Sequence, residues 1–200
     1  MRSLVLASAS PARLRLLQEA GFDPTVIVSG VDEDVLAAGE RDPSRVVRVL
    51  AEAKAAAVVG SLEVAANALV VGCDSMLLLG EDLVGKPRTA DEAVARWRAM
   101  RGGEGVLLTG HCVVDRTTGA IAADVAATTV RFGTPTDEEI AAYVATGEPL
   151  GVAGAFTLQG RSAPFIDGID GDPGNVIGLS LPLFRELLAR LGVEVTSLWR

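Results

Sequence analysis

Six polar residues stand where apolar patterning would otherwise start or continue: Ser8, Arg13, Lys54, Asp74, Lys86 and Gln159. Glu33, in the acidic run Gly30-Val31-Asp32-Glu33-Asp34, adds a carboxylate of the same kind. Three cations, one or two carboxylates and hydroxyls form a donor set for a magnesium-bound polyphosphate. Arg and Lys take phosphate oxygens, and hard carboxylate oxygens take the metal. His111 follows Thr109-Gly110 with no obvious serine partner, so a hydrolytic triad is a poor reading and His111 reads as structural.

The elements that must position these residues are legible in outline. Leu4-Val5-Leu6-Ala7 reads as a short strand, and Ser8-Ala9-Ser10-Pro11-Ala12-Arg13 as the turn into a helix from Leu14 to Ala20, stopped at Gly21. Ser8 or Ser10 can cap that helix, Pro11 suits its first turn, and its free N–H groups suit phosphate oxygens. Phe22 to Val28 reads as a second strand. Asp42-Pro43 opens a helix over about Ser44 to Val59, whose seam of Val47, Leu50, Ala57 and Val58 includes Lys54. Such a lysine either snorkels to water or points into a cleft.

Ala68 to Gly72 reads as a buried strand that ends at Cys73-Asp74-Ser75, with apolar residues resuming at Met76. A carboxylate flanked by apolar residues on both sides is costly to bury alone, which favours a metal or proton role for Asp74. Gly80 to Lys86 nearly spells a Walker A loop, but Pro87 stands where that motif needs a hydroxyl, and no helix opens there; Lys86 is kept as a phosphate ligand in its own right. Capping boxes at Thr89 and Thr136 open helices to about Met100 and Thr146, and Gly105–Val114 and Ala120–Phe132 read as strands. A glycine-rich stretch, 151–160, precedes an acidic loop over 167–175, which reads as a solvated turn rather than a calcium loop. Ser180 caps a last helix to Leu191, followed by a short strand.

Length and composition set bounds. Two hundred residues, 49% hydrophobic, suffice for one domain with a sizeable core, in one lobe or two, and no linker divides the chain. A net charge of -8 argues against non-specific nucleic-acid binding. No apolar run is long enough for a membrane span, and no secretory leader is evident. Cys73 and Cys112, each in an apolar run, read as buried thiols of a reducing, cytoplasmic compartment.

In order and spacing, several fragments resemble the Maf family of nucleoside triphosphate pyrophosphatases, also called septum-formation inhibitor proteins. They are Leu6 to Arg13, Ala51-Glu52-Ala53-Lys54-Ala55, Gly72-Cys73-Asp74-Ser75, Gly85-Lys86-Pro87, Thr109-Gly110, Ala153 to Gly160 and Asn175 to Leu179. The resemblance spans nearly the whole length and implies a single domain over 1–200. Its fold would be α/β, a mixed elongated central sheet flanked by helices, in two lobes with a cleft. The implied reaction converts a nucleoside triphosphate and water to the monophosphate and pyrophosphate, with a divalent cation, Mg or Mn. Asp74 matches the proton acceptor and a metal ligand. Ser8, Arg13, Lys54 and Lys86 match the polyphosphate positions, and Glu33 a second metal or water contact.

Position 12 is Ala12, where one branch of the family has arginine and another tryptophan. Ser75 stands where the pyrimidine branch tends to have threonine. Gln159 agrees with that branch (dTTP and UTP), whereas the 7-methyl-GTP branch tends to have glutamate. These residues point to pyrimidine or modified nucleotides, or a broad range, in a house-cleaning role that keeps non-standard nucleotides out of nucleic acid. A homodimer is common in the family. The rival readings are a nucleotide-binding regulator of septum formation without essential catalysis, and a phosphatase releasing single phosphates.

Overall fold

The computed structural model describes residues 2–61 and 63–200. The chain runs through β1 (Leu4–Leu6), α1 (Pro11–Glu19), β2 (Thr25–Val26), α2 (Glu33–Ala37), α3 (Pro43–Val59), β3 (Leu69–Leu79) and β4 (Asp82–Val84). It continues with α4 (Ala90–Met100), β5 (Glu104–Asp115), β6 (Ile121–Phe132), α5 (Asp137–Ala145), β7 (Ile166–Asp170), α6 (Pro173–Ile177) and α7 (Leu181–Arg190). The strands hydrogen-bond in the order β2-β1-β3-β5-β6-β7, with β4 also on β3. β1 is parallel to β2 and β3, whereas β4 on β3 and β7 on β6 are antiparallel. This is the mixed sheet with helices that the sequence implies, an α/β fold.

Caps set the helix starts. Ser10, not Ser8, caps α1, its side chain accepting from Arg13 N. Asp42 caps α3 and Thr89 caps α4. Thr136 and Glu139 complete a reciprocal capping box on α5. At α4 the box is open, because Glu92 accepts from Arg88 N at 2.8 Å and pairs with Arg96.

Four expectations are corrected. Only Thr25–Val26 of the run from Phe22 to Val28 forms a strand, because Pro24 lacks the N–H a ladder needs and Val28 is exposed. Phe22 instead bridges Trp199, and the last segment is a 3-10 turn, Val195–Leu198, rather than a strand. β3 does not stop at Asp74 but runs through it. The acidic stretch 167–175 is not a solvated turn: it supplies β7, with Ile166 and Ile169 packed on the core, and then α6.

The chain gathers into two compact units. One comprises the chain up to Asp74, Thr109–Ala126 and Gly178–Arg200, and the other Ser75–Leu108 and Ala127–Ile177. The second unit is built around Trp97, whose ring meets Phe132, Tyr143 and Phe165 edge-on. The indole N–H donates to the Ala155 carbonyl at 2.8 Å. Ala155 has a φ of +65°, a conformation that costs a residue with a Cβ and persists where the surroundings hold it.

In the first unit, small residues bring α3 down onto the sheet. Val5, Ala7, Ala51, Ala55, Val58, Val70 and Cys112 form its core. A Cβ placed on Gly72 of β3 would lie 2.3 Å from Ala51 O and 2.8 Å from Ala55 N. One placed on Gly110 of β5 would lie 2.1 Å from Val47 O. Glycine inside a strand here marks backbone touching backbone. Gly110→Ala is therefore expected to lower stability by about 1–3 kcal/mol, the usual cost of overpacking. Gly60→Ala, at the open C-terminus of α3 with nothing within 4 Å, is expected to stay within about 0.5 kcal/mol. Urea midpoints at unchanged slope check both.

Candidate functional site

The turn between β1 and α1 is held by its own hydroxyls. Ser8 Oγ accepts from Ser10 N at 3.2 Å and from Arg13 Nη1 at 3.1 Å, and is buried. Arg13, on the first turn of α1, is 9% exposed. Its Nε donates to the Gly178 carbonyl at 2.7 Å. Gly178 has a φ of +123°, and a Cβ there would lie 3.0 Å from Arg13 Nε. A guanidinium fixed at Nε and Nη1 has lost its rotamer freedom before any ligand arrives, which lowers the cost of gripping phosphate.

Lys54 lies on the α3 face that carries Ala51 and Ala55, and Asp74 follows Gly72 by two residues, on the same face of β3. The close approach of the two backbones brings the side chains together. Lys54 Nζ donates to Asp74 Oδ1 at 2.5 Å, with both side chains about nine-tenths buried. The same ammonium contacts Glu33 Oε1 at 2.6 Å, from the first residue of α2. Glu33 is thus on a short helix capped by Asp32 rather than in a loop, with its side chain 56% exposed. Of the two readings for Lys54, snorkelling fails, since its ammonium ends between two carboxylates.

Burial pushes the Asp74 carboxyl above its ordinary range, against the pull of Lys54 and Arg13, and Glu33 adds to the push. The neighbouring Cys73 thiol is pushed up to about 11 by burial, so it is a neutral thiol and no nucleophile. An elevated carboxylate held by an ammonium is suited to accept a proton from water.

The first unit therefore brings together Ser8, Arg13, Lys54, Asp74 and Glu33. Ala12 is half-buried on α1. Lys86, Ser75 and Gln159 belong to the second unit. Lys86 is exposed in the bend after β4, beside Gly85, whose carbonyl accepts from Gly154 N at 3.0 Å and from Arg96 Nη1 at 2.5 Å. Ser75 is half-buried on β3, and Gln159 is exposed, its backbone N–H donating to Thr157 Oγ1 at 3.3 Å. Among the described residues no group of three or more His, Cys, Asp and Glu side chains could hold a metal ion. Sequence reasoning gave no positional role to Gly72, Gly110 or Gly178. The first two carried a usable signal, glycine within a strand pattern; Gly178 had none beyond the fragment it sits in.

Comparisons with known proteins give the family. A family profile described as Maf-like protein matches residues 3–191. Proteins named nucleoside triphosphate pyrophosphatase from Streptomyces avermitilis and Streptomyces coelicolor are each 63% identical over 198 residues, covering 99% of this chain and 95% of the relative. One from Nocardia farcinica, of the same name, is 55% identical over 205 residues, covering 99% and 97%. With the profile spanning nearly its whole length, and such relatives aligned from end to end, the chain belongs to the Maf family.

Proposed function

We propose that this protein is a nucleoside triphosphate pyrophosphatase that converts a nucleoside triphosphate and water to the monophosphate and pyrophosphate. The carrying observation is the buried Lys54–Asp74 pair, with Arg13 anchored in the same unit. The names of the relatives support the reaction class. Asp74 accepts the proton of the attacking water. Arg13 and Lys54 bind the charge that grows on the leaving pyrophosphate, and Ser8 holds Arg13 for it.

The residues fit a divalent cation. Arg13 and Lys54 against Asp74 and Glu33 sum to no net charge when all are ionised, so these four alone do not neutralise a triphosphate. Asp74 and Glu33 are hard oxygen donors already converging on one cation, the Lys54 ammonium. Mg²⁺ ordinarily takes one or two carboxylates and draws its remaining ligands from phosphate and water. Asp74 and Glu33 would hold it, and a bound ion would supply the charge that offsets the phosphates. The resemblance assigns Lys86 to phosphate, and Ser75, Gln159 and Ala12 to the nucleoside, with a preference for dTTP, UTP or modified pyrimidine nucleotides. Action on modified nucleotides would give a house-cleaning role, placed in the cytoplasm. No helix among the described residues is long and apolar enough to cross a membrane, and buried free Cys73 and Cys112 suit a reducing compartment. A homodimer is the expected assembly, which sedimentation checks.

The primary test scores monophosphate, pyrophosphate and phosphate separately across a nucleotide panel with Mg²⁺ or Mn²⁺. Pyrophosphate without phosphate is expected. Phosphate release would show a phosphatase, and binding without turnover a regulator. Asp74→Asn is expected to lower kcat by about 10²–10⁴-fold, the usual share of a general base, while nucleotide binding is retained. Undiminished turnover would remove Asp74 from the proposed mechanism.

The pH dependence has a definite sign. A base must be deprotonated, so activity falls as pH drops through the Asp74 pKa. Burial places that fall above the ordinary aspartate range, and the Lys54 charge restrains the shift. In Lys54→Met the restraint is gone, so the acid limb of kcat/KM for the residual activity is expected to move to higher pH. Gln159→Glu is expected to shift the order of preferred bases, read on the same panel.

A further inference from the structure

We propose that His111 is a positioning residue for Arg13, acting through the backbone of Gly178–Ser180. Its consequence for catalysis rests on the pyrophosphatase reading; the linkage itself does not. His111 lies on β5 and is fully buried. Its Nδ1 is 2.9 Å from the Thr109 carbonyl, and its Nε2 is 2.8 Å from Ser180 N. A carbonyl can only accept and a backbone amide can only donate. The ring is therefore the neutral tautomer with its proton on Nδ1, and the Nε2 lone pair receives the Ser180 N–H.

The chain itself shows why an acceptor is needed there. Ser180 is the N-cap of α7, its side chain accepting from Leu183 N at 3.2 Å. The N–H of an N-cap residue lies outside the helix ladder and needs a partner when buried. At α5 a local side chain serves: Glu139, three residues on, accepts from Thr136 N at 2.7 Å. At α7 the third residue is Leu183, which cannot accept, and His111 takes the part from across the first unit. A leucine at position 111 would fill the same volume and leave that amide unpaired.

Two residues before this pinned amide stands the Gly178 carbonyl, the acceptor for Arg13 Nε. Leu179 between them is fully buried, so the segment has little room to shift. Gly178, at φ +123°, gives Arg13 the space to reach it. The chain of contacts runs from the ring of His111 to the amide of Ser180, to the carbonyl of Gly178, to the guanidinium of Arg13. His111 touches no substrate in this arrangement. It sets where the phosphate-binding cation sits.

The test compares His111→Leu with His111→Gln in the full-length protein. The glutamine Oε1 can take the Nε2 position and accept the Ser180 amide. Three quantities are read: the Arg13 Nε–H resonance by NMR, the Kd of inorganic pyrophosphate, and KM against kcat for nucleotide hydrolysis. His111→Leu is expected to lose the exchange-protected Nε–H resonance, and to weaken pyrophosphate binding and raise KM about tenfold. Its kcat also falls, by about three- to tenfold, because Arg13 meets charge that grows on the leaving pyrophosphate as well as charge already on the bound substrate. His111→Gln is expected within threefold of the unsubstituted protein on all three readings. In an Arg13→Met background, His111→Leu is expected to add less than twofold, as coupled positions do.

An unchanged resonance and Kd in His111→Leu would overturn the proposal. So would a loss that persists in full in the Arg13→Met background, since His111 would then act by another route. Gly178→Ala breaks the same linkage from the other end with the ring intact, and decides the matter if His111→Leu does not fold; it is expected to reproduce the pyrophosphate and KM effects, and normal values would overturn the proposal. Pyrophosphate binding and the Arg13 resonance need no turnover. Absence of nucleotide hydrolysis by the unsubstituted protein would therefore overturn the functional reading alone.

Discussion

The first unit depends on backbone contact between α3 and the sheet. Most helices pack on sheets through a cushion of branched side chains. Here Gly72 and Gly110 remove the cushion from the sheet side and Ala51 and Ala55 thin it on the helix side. At this separation a lysine on the helix cannot pass over the strand to water, and a carboxylate on the strand lies within reach of it. Lys54 and Asp74 meet because there is no room for them to do otherwise. Direct contact also limits how far either backbone can drift, so the 2.5 Å pair is set by main-chain geometry rather than by flexible stems.

Such a pair is a poor device for stability. Taking an ammonium and a carboxylate out of water costs several kcal/mol per ion, and their attraction offsets this only in good geometry. An apolar pair of similar volume would commonly hold α3 on β3 at least as well. The raised Asp74 pKa is the residue of that unfavourable balance: burial outweighs even two nearby cations. What the arrangement gains is a carboxylate with raised proton affinity fixed beside cations, the condition for base chemistry on an anionic substrate. Natural folds break their own packing rules mainly at such places.

How far the sequence reveals this differs from element to element. Caps at Asp42, Thr89, Thr136 and Ser180 were readable, and that of α1 to within Ser8 or Ser10, because a short polar side chain before an apolar period has few other uses. The burial of Asp74 was readable from its apolar flanks, and that of Lys54 from its place in a seam. The strand through Asp74 was not, because local patterning treats a carboxylate as a terminator and cannot see the partner that neutralises it from α3. The acidic stretch 167–175 misled for a related reason. Its charges suggest solvent, but Ile166 and Ile169 both pack on the core across a register shift at Arg131/Phe132, and β7 forms on the long-range pairing with β6. The anchor of Arg13 was invisible in principle, since Gly178 contributes only a carbonyl, which every residue has.

An acidic chain that binds a polyanion presents no contradiction once burial is considered. The excess of carboxylates is spread over the surface, where water and salt screen each charge within about a Debye length of 8–10 Å. Arg13 and Lys54 are buried, and their fields pass through protein rather than water. A phosphate reaching them meets strong local attraction, while the surface at large repels nucleic acid. Because Asp74 and Glu33 already sit on Lys54, the incoming charge must compete with them for the ammonium. A triphosphate bringing its own divalent cation would relieve that competition, since Asp74 and Glu33 would hold the cation and leave the ammonium to the phosphates. On the function proposed above, the site would favour metal-bound nucleotide over the bare anion, and the preference would arise from carboxylates that at first sight oppose binding.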